Sequence, residues 1–119
     1  LDLSYYDAIL GCHLGVFPSY YEPWGYTPLE GAALGVPAIT TDLAGYGRFI
    51  KDKTEKGGIY VLDRMNKTDD ETVNQFVQML LKYCKLRKKE RVSQKIIAKN
   101  LSTLADWNIF INNYIFMVN

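Results

Sequence analysis

Three short apolar runs, Leu14 to Pro18, Pro37 to Thr41 and Gly58 to Leu62, are each set apart from the next by residues that carry helix signals. Runs of this length, bounded by glycine and proline, have the pattern of buried strands. Strands that alternate with helices build a parallel α/β sheet rather than a set of hairpins. The ligands of such sheets bind beyond the carboxyl ends of the strands. That places the segment after the first run, Ser19 to Tyr26, where a binding loop would lie.

Local signals fill in the helices. Ser4, followed by Asp7 and the apolar Tyr5, Ala8 and Ile9, predicts a capped helix that stops near Gly11. Thr27-Pro28-Leu29-Glu30 predicts a second helix start, with Thr27 as N-cap, Pro28 at the first helical position and Glu30 completing a capping box. Gly35 would end that helix. Ala44-Gly-Tyr-Gly47 has the composition of a glycine-rich turn before a helix from Arg48. Asp69 to Leu86 places Val73, Phe76, Val77, Leu80 and Leu81 at helical spacing, and helix is expected to continue, with a break or two, to the end. The expectation is an α/β core over residues 1–66 and a helical segment over residues 67–119.

The formal net charge of +1 argues against a protein that neutralises many phosphates along a nucleic acid. The apolar runs are far shorter than the roughly 20 residues a membrane helix needs, and no signal segment opens the chain, so a cytoplasmic, non-membrane protein is expected. Cys12, Cys84 and His13 are too few for a zinc site or a disulfide framework, so two reduced thiols are expected. A chain that opens on Leu1, inside a helix signal, suggests a piece of a longer protein.

The loop and the helix start after it hold the chemistry. Glu22 and Glu30 stand on either side of a glycine turn and a helix N-terminus. A helix start offers unpaired backbone N–H groups and a partial positive charge, which suits a diphosphate. Gly25 lets the backbone approach an anion, and Thr27 adds a hydroxyl. Glu22 can accept hydrogen bonds from sugar hydroxyls, and Glu30 can take the two hydroxyls of a ribose. The spacing alone leaves other roles open. Glu30 could serve only as a cap, Glu22 as a solvated charge and Trp24 as a core anchor; two carboxylates could also be a glycosidase pair.

The stretch Gly11-Cys-His-Leu-Gly-Val-Phe-Pro-Ser-Tyr-Tyr-Glu-Pro-Trp-Gly-Tyr-Thr-Pro-Leu-Glu30, with Gly35-Val-Pro-Ala-Ile-Thr-Thr41 and Ala44-Gly-Tyr-Gly47, closely resembles the animal and fungal glycogen synthases, glycosyltransferase family 3. The likeness runs on through Gly58 to Arg64 and Leu101 to Trp107. It implies a Rossmann-like sheet in the C-terminal lobe of a two-lobed GT-B enzyme that transfers glucose from UDP-glucose, with retention, to a glucan. It also implies that Glu22, Trp24, Gly25 and Tyr26 lie in the donor-sugar region, with Glu22 catalytic, while Thr27 meets the diphosphate and Glu30 the ribose. The arginine and lysine that steady the leaving diphosphate would lie upstream, outside this chain, and no metal ion or cofactor is implied. The partners implied are UDP-glucose, glycogen or a glucan primer, glucose 6-phosphate, a glycogenin-like primer protein and further copies of the full-length protein. A non-catalytic nucleotide-sugar or sugar-phosphate module that kept only this loop is the alternative.

Lys88, Arg91, Lys95 and Lys99 fall on one helical face. Taken alone, such a stripe is usually a solvated face. The family likeness implies an allosteric glucose 6-phosphate site at Arg91, Lys88, Lys95 and His13. Lysines stand at Lys88, Lys89 and Lys95 where arginines are usual, and a lysine keeps the charge without the planar fork.

Overall fold

The computed structural model describes residues 2–118. The elements run α1 (Tyr5–Leu10), β1 (Gly15–Val16), α2 (Tyr26–Ala33), β2 (Ala38–Thr41), α3 (Gly45–Ile50), β3 (Ile59–Leu62), α4 (Asp69–Cys84), α5 (Lys88–Ser102) and α6 (Trp107–Val118). Short 3₁₀ turns occupy Lys51–Lys53 and Thr103–Ala105. The strands form one parallel sheet in the order β1-β2-β3. Gly15 aligns with Ala38 and Val16 with Ile39, while Ala38 to Thr41 align in register with Ile59 to Leu62. Parallel neighbours cannot be joined by a tight turn, so α2 and α3 act as the crossovers. The α/β class and the helical C-terminal segment are as the sequence pattern implies.

All four residues of β2 are buried, as befits the central strand of a sheet covered on its faces. α2 packs on β1 and β2, α3 on β2 and β3, and α4 on β3, while α5 lies against α2. The core gathers Ala32, Ala38, Tyr46, Ile50, Ile59 and Ala98. Close approach of α5 to the sheet depends on Gly58. Its φ is 80°, and a Cβ there would sit 2.7 Å from the backbone nitrogen of Ala98.

The structure corrects several boundaries. β1 is shorter than the run Leu14 to Pro18. Phe17 still donates to the Ile39 carbonyl at 2.8 Å, but Pro18 has no N–H with which to continue the ladder. α3 begins at Gly45, not Arg48, so the glycines lie inside the helix rather than in a turn before it. They are there because side chains would not fit. A Cβ on Gly45 would lie 2.1 Å from the Pro23 carbonyl oxygen, and one on Gly47 would lie 1.9 Å from that of Thr41. α4 ends at Cys84, two residues before the expected limit. Its start is held by a capping box in which Thr68 and Glu71 exchange hydrogen bonds. At α5 the Glu90 carboxylate accepts from the Arg87 N–H at 2.6 Å. No described helix is long and apolar enough to cross a membrane.

Candidate functional site

The loop after β1 is sewn to the loop after β2. The Thr41 hydroxyl donates to the Ser19 carbonyl at 2.9 Å and accepts from the Leu43 N–H at 3.3 Å. Glu22 then pairs with Ala44 as a one-residue parallel bridge. Its N–H donates to the Leu43 carbonyl at 3.3 Å, and its carbonyl accepts from the Gly45 N–H at 3.1 Å. The Tyr46 N–H donates to the Trp24 carbonyl at 2.7 Å. The backbone of residues 22 to 24 is therefore held by the start of α3.

On this frame the Glu22 carboxylate is half-buried and accepts from the Ser19 hydroxyl at 3.2 Å. It lies against Gly25, where a Cβ would come 3.4 Å from Glu22 Oε2. Gly25 has a φ of 99° and forms the N-cap of α2 without contributing a side chain to it. Only glycine takes that conformation at little cost. Tyr26 and Thr27 occupy the first turn, where backbone N–H groups have no acceptor within the helix. Glu30 lies one turn further along, half-buried, and accepts from the Tyr5 hydroxyl at 3.4 Å. Burial first, and then the charge of Glu30, raise the pKa of the Tyr5 phenol.

Glu22, Gly25, Tyr26, Thr27 and Glu30 are thus brought together around one helix start. One detail differs from the sequence reading. α2 begins two residues before Pro28, so Thr27 is inside the helix instead of capping it, and the Thr27–Glu30 capping box does not form. Glu30 is left without a capping duty. Trp24 is half-buried, with its ring 5.6 Å from Tyr46, 5.6 Å from Phe49 and 6.2 Å from Phe110, so that the loop is anchored to α3 and α6.

Sequence reasoning missed Asp42 and Arg64. Asp42, 6% exposed at the end of β2, accepts from the backbone N–H groups of Arg64 and Met65 at 2.8 and 3.0 Å and pairs with Lys51 at 3.6 Å. Lys51 also pairs with Asp63. Arg64 donates to the Pro18 carbonyl at 3.0 Å and lies 3.5 Å beneath the Tyr20 ring. These two residues tie the loop after β3 to the other two. An aspartate directly after a buried run was the only available signal.

The predicted effector residues are partly assembled. His13 is exposed, and its carbonyl accepts from the Tyr83 hydroxyl at 2.6 Å. Arg91 donates to the Leu86 carbonyl at 2.9 Å. His13 and Arg91 both line a cavity of about 560 Å³ between the start of β1 and helices α4 and α5. Burial raises the pKa of the Tyr83 phenol there, and the charge of Arg91 opposes the rise. Lys88 and Lys95 lie on α5 and are not among the residues lining that cavity.

Residues 1–117 match the family model for glycogen synthase. The chain belongs to the glycogen synthase family. It is 44% identical over 110 residues to the liver glycogen [starch] synthase of Mus musculus and 46% identical over 112 residues to isoform 2 of Saccharomyces cerevisiae. It is 43% identical over 110 residues to the enzyme of Caenorhabditis elegans. Each match takes in 90% of the chain and 16% of the relative, so the chain spans about a sixth of the length of these glycogen synthases.

Proposed function

We propose that this chain is the donor-binding part of a cytoplasmic GT-B glucosyltransferase, which moves glucose from UDP-glucose to the non-reducing end of an α-1,4-glucan with retention of configuration. The observation that carries this reading is the placement of two carboxylates about the start of α2, Glu22 against the cap glycine and Glu30 one turn on. A diphosphate would take the N–H groups of the first turn, with the Thr27 hydroxyl beside it. Its nucleoside would run toward Glu30, and its glucose toward Glu22, Gly25 and Tyr26. As the bond from the anomeric carbon to phosphate breaks, positive charge grows on the sugar. A fixed carboxylate such as Glu22 lowers the energy of that state more than that of the bound donor. Trp24 acts through its packing, which fixes the backbone on which Glu22 and Gly25 sit.

The ribose role is tested by titrating UDP into the full-length protein. Glu30→Gln should weaken binding about tenfold, as expected for loss of hydrogen bonds to a charged acceptor. Its folding stability should stay within about 0.5 kcal/mol, because no cap is lost. Equal UDP affinity in both proteins would remove Glu30 from the nucleotide site.

The shared cavity of His13 and Arg91 supports a second element of the reading, an effector site for glucose 6-phosphate. Arg91 would be the phosphate anchor, with Lys88 and Lys95 adding charge along α5 and His13 facing the anion across the cavity. Glucose 6-phosphate should activate the full-length enzyme, and Arg91→Ala should raise the half-saturating concentration by about tenfold or more. An unchanged activation curve would take Arg91 out of the site.

A further inference from the structure

Both cysteines of the chain, Cys12 and Cys84, are free and exposed. They are distant in sequence and belong to different elements, Cys12 following α1 and Cys84 closing α4. Yet both line the cavity of His13 and Arg91. The hydrogen bond from the Tyr83 hydroxyl to the His13 carbonyl joins the two walls next to the two thiols. Cys12 is otherwise engaged only weakly, its thiol donating to the Ala8 carbonyl at 3.4 Å. Among the described residues no group of three or more His, Cys, Asp or Glu side chains is placed to hold a metal ion. Arg91, held by the Leu86 carbonyl, gives the wall a fixed positive charge, and no acidic residue among the described residues lines it.

We propose that Cys12 and Cys84 form a reversible S-thiolation site, and that the cavity receives an anionic small-molecule disulfide of the glutathione-disulfide class. The thiolate of either cysteine attacks one sulfur of the incoming disulfide, since the thiolate rather than the thiol is the nucleophile. A protein–small-molecule S–S bond forms as the original S–S bond breaks. The cysteine sulfur is oxidised, and the departing sulfur leaves as a reduced thiolate that takes up the proton given up by the cysteine. No further oxidant is required. Arg91 concentrates the anionic reagent at the thiols, and the bound adduct fills the cavity until a reducing thiol reverses the exchange.

The test uses native full-length protein exposed either to glutathione disulfide or to the neutral 2-hydroxyethyl disulfide, with adduct formation followed by peptide mass mapping. Adducts should form at Cys12 and Cys84 and disappear with dithiothreitol. Cys12→Ser and Cys84→Ser should each lose one adduct and keep the other. Arg91→Gln should lower the ratio of the anionic to the neutral labelling rate by about threefold or more, whereas Arg91→Lys should keep it. A ratio unchanged in Arg91→Gln, or no adduct at either cysteine in the native protein, would overturn the proposal. The readout is mass alone, so it stands or falls separately from glucosyl transfer and from any response to glucose 6-phosphate.

Discussion

The Tyr46 hydroxyl is buried without a hydrogen-bond partner among the described residues, in a side chain that is 0% exposed. Burial pushes its phenol pKa up to about 12. An unpaired buried hydroxyl costs about 1–3 kcal/mol, while the ring itself packs against Trp24 and Phe49. Tyr46→Phe keeps the ring and removes the cost, so urea unfolding should show stability unchanged or raised by up to about 2 kcal/mol. A loss of more than about 1 kcal/mol would mean that the hydroxyl has a partner in solution. At this scale the grouping of Glu22, Gly25 and Glu30 about one helix start was legible, because these are residue types whose chemistry can be stated before their surroundings are known. Asp42 was not legible. Its importance comes from two N–H groups just past the end of β3, and sequence does not show which loops meet.

Helix starts respond to pH through Glu71 and Glu90. The pKa of each is lowered below the usual carboxylate range, first of all because the backbone N–H of its cap residue, Thr68 or Arg87, hydrogen-bonds the ionised form. A carboxylate whose folded pKa is depressed contributes stability that is present above its unfolded pKa and lost as pH falls through the folded value. The first turns of α4 and α5 should therefore fray on acidification, seen as loss of amide-exchange protection at Thr68 and Arg87. Glu71→Gln should remove the pH dependence at Thr68. Protection that persists unchanged into strong acid in the wild type would contradict the assignment. The cap at Ser4 was readable, and its side chain does accept from the Asp7 N–H. The cap at Thr27 was misread, because Gly25 takes a left-handed conformation that starts α2 earlier. At α3 glycine was read as a turn signal, whereas here it marks close contact between backbones, which depends on tertiary neighbours.

For the molecule as a whole, the alternation of strand and helix signals gave the α/β class, but the order β1-β2-β3 and the seating of α5 on α2 emerge only in three dimensions. α6 reaches the site loop through Phe110, which packs on Trp24 and Phe49. The chain by itself spans 16% of its glycogen synthase relatives, and transition-state stabilisation requires groups fixed on all sides of the reacting bond. On the proposed reading, catalysis therefore belongs to the full-length protein, with Glu22 as the carboxylate that makes the difference. The direct measurement is incorporation of labelled glucose from UDP-glucose into glycogen by the full-length wild type and its Glu22→Gln variant, with UDP affinity measured alongside. The proposed function requires incorporation by the wild type and a rate lower by about 10²–10³ in the variant, with UDP still bound. No incorporation by the wild type, or equal rates in the two proteins, would contradict it.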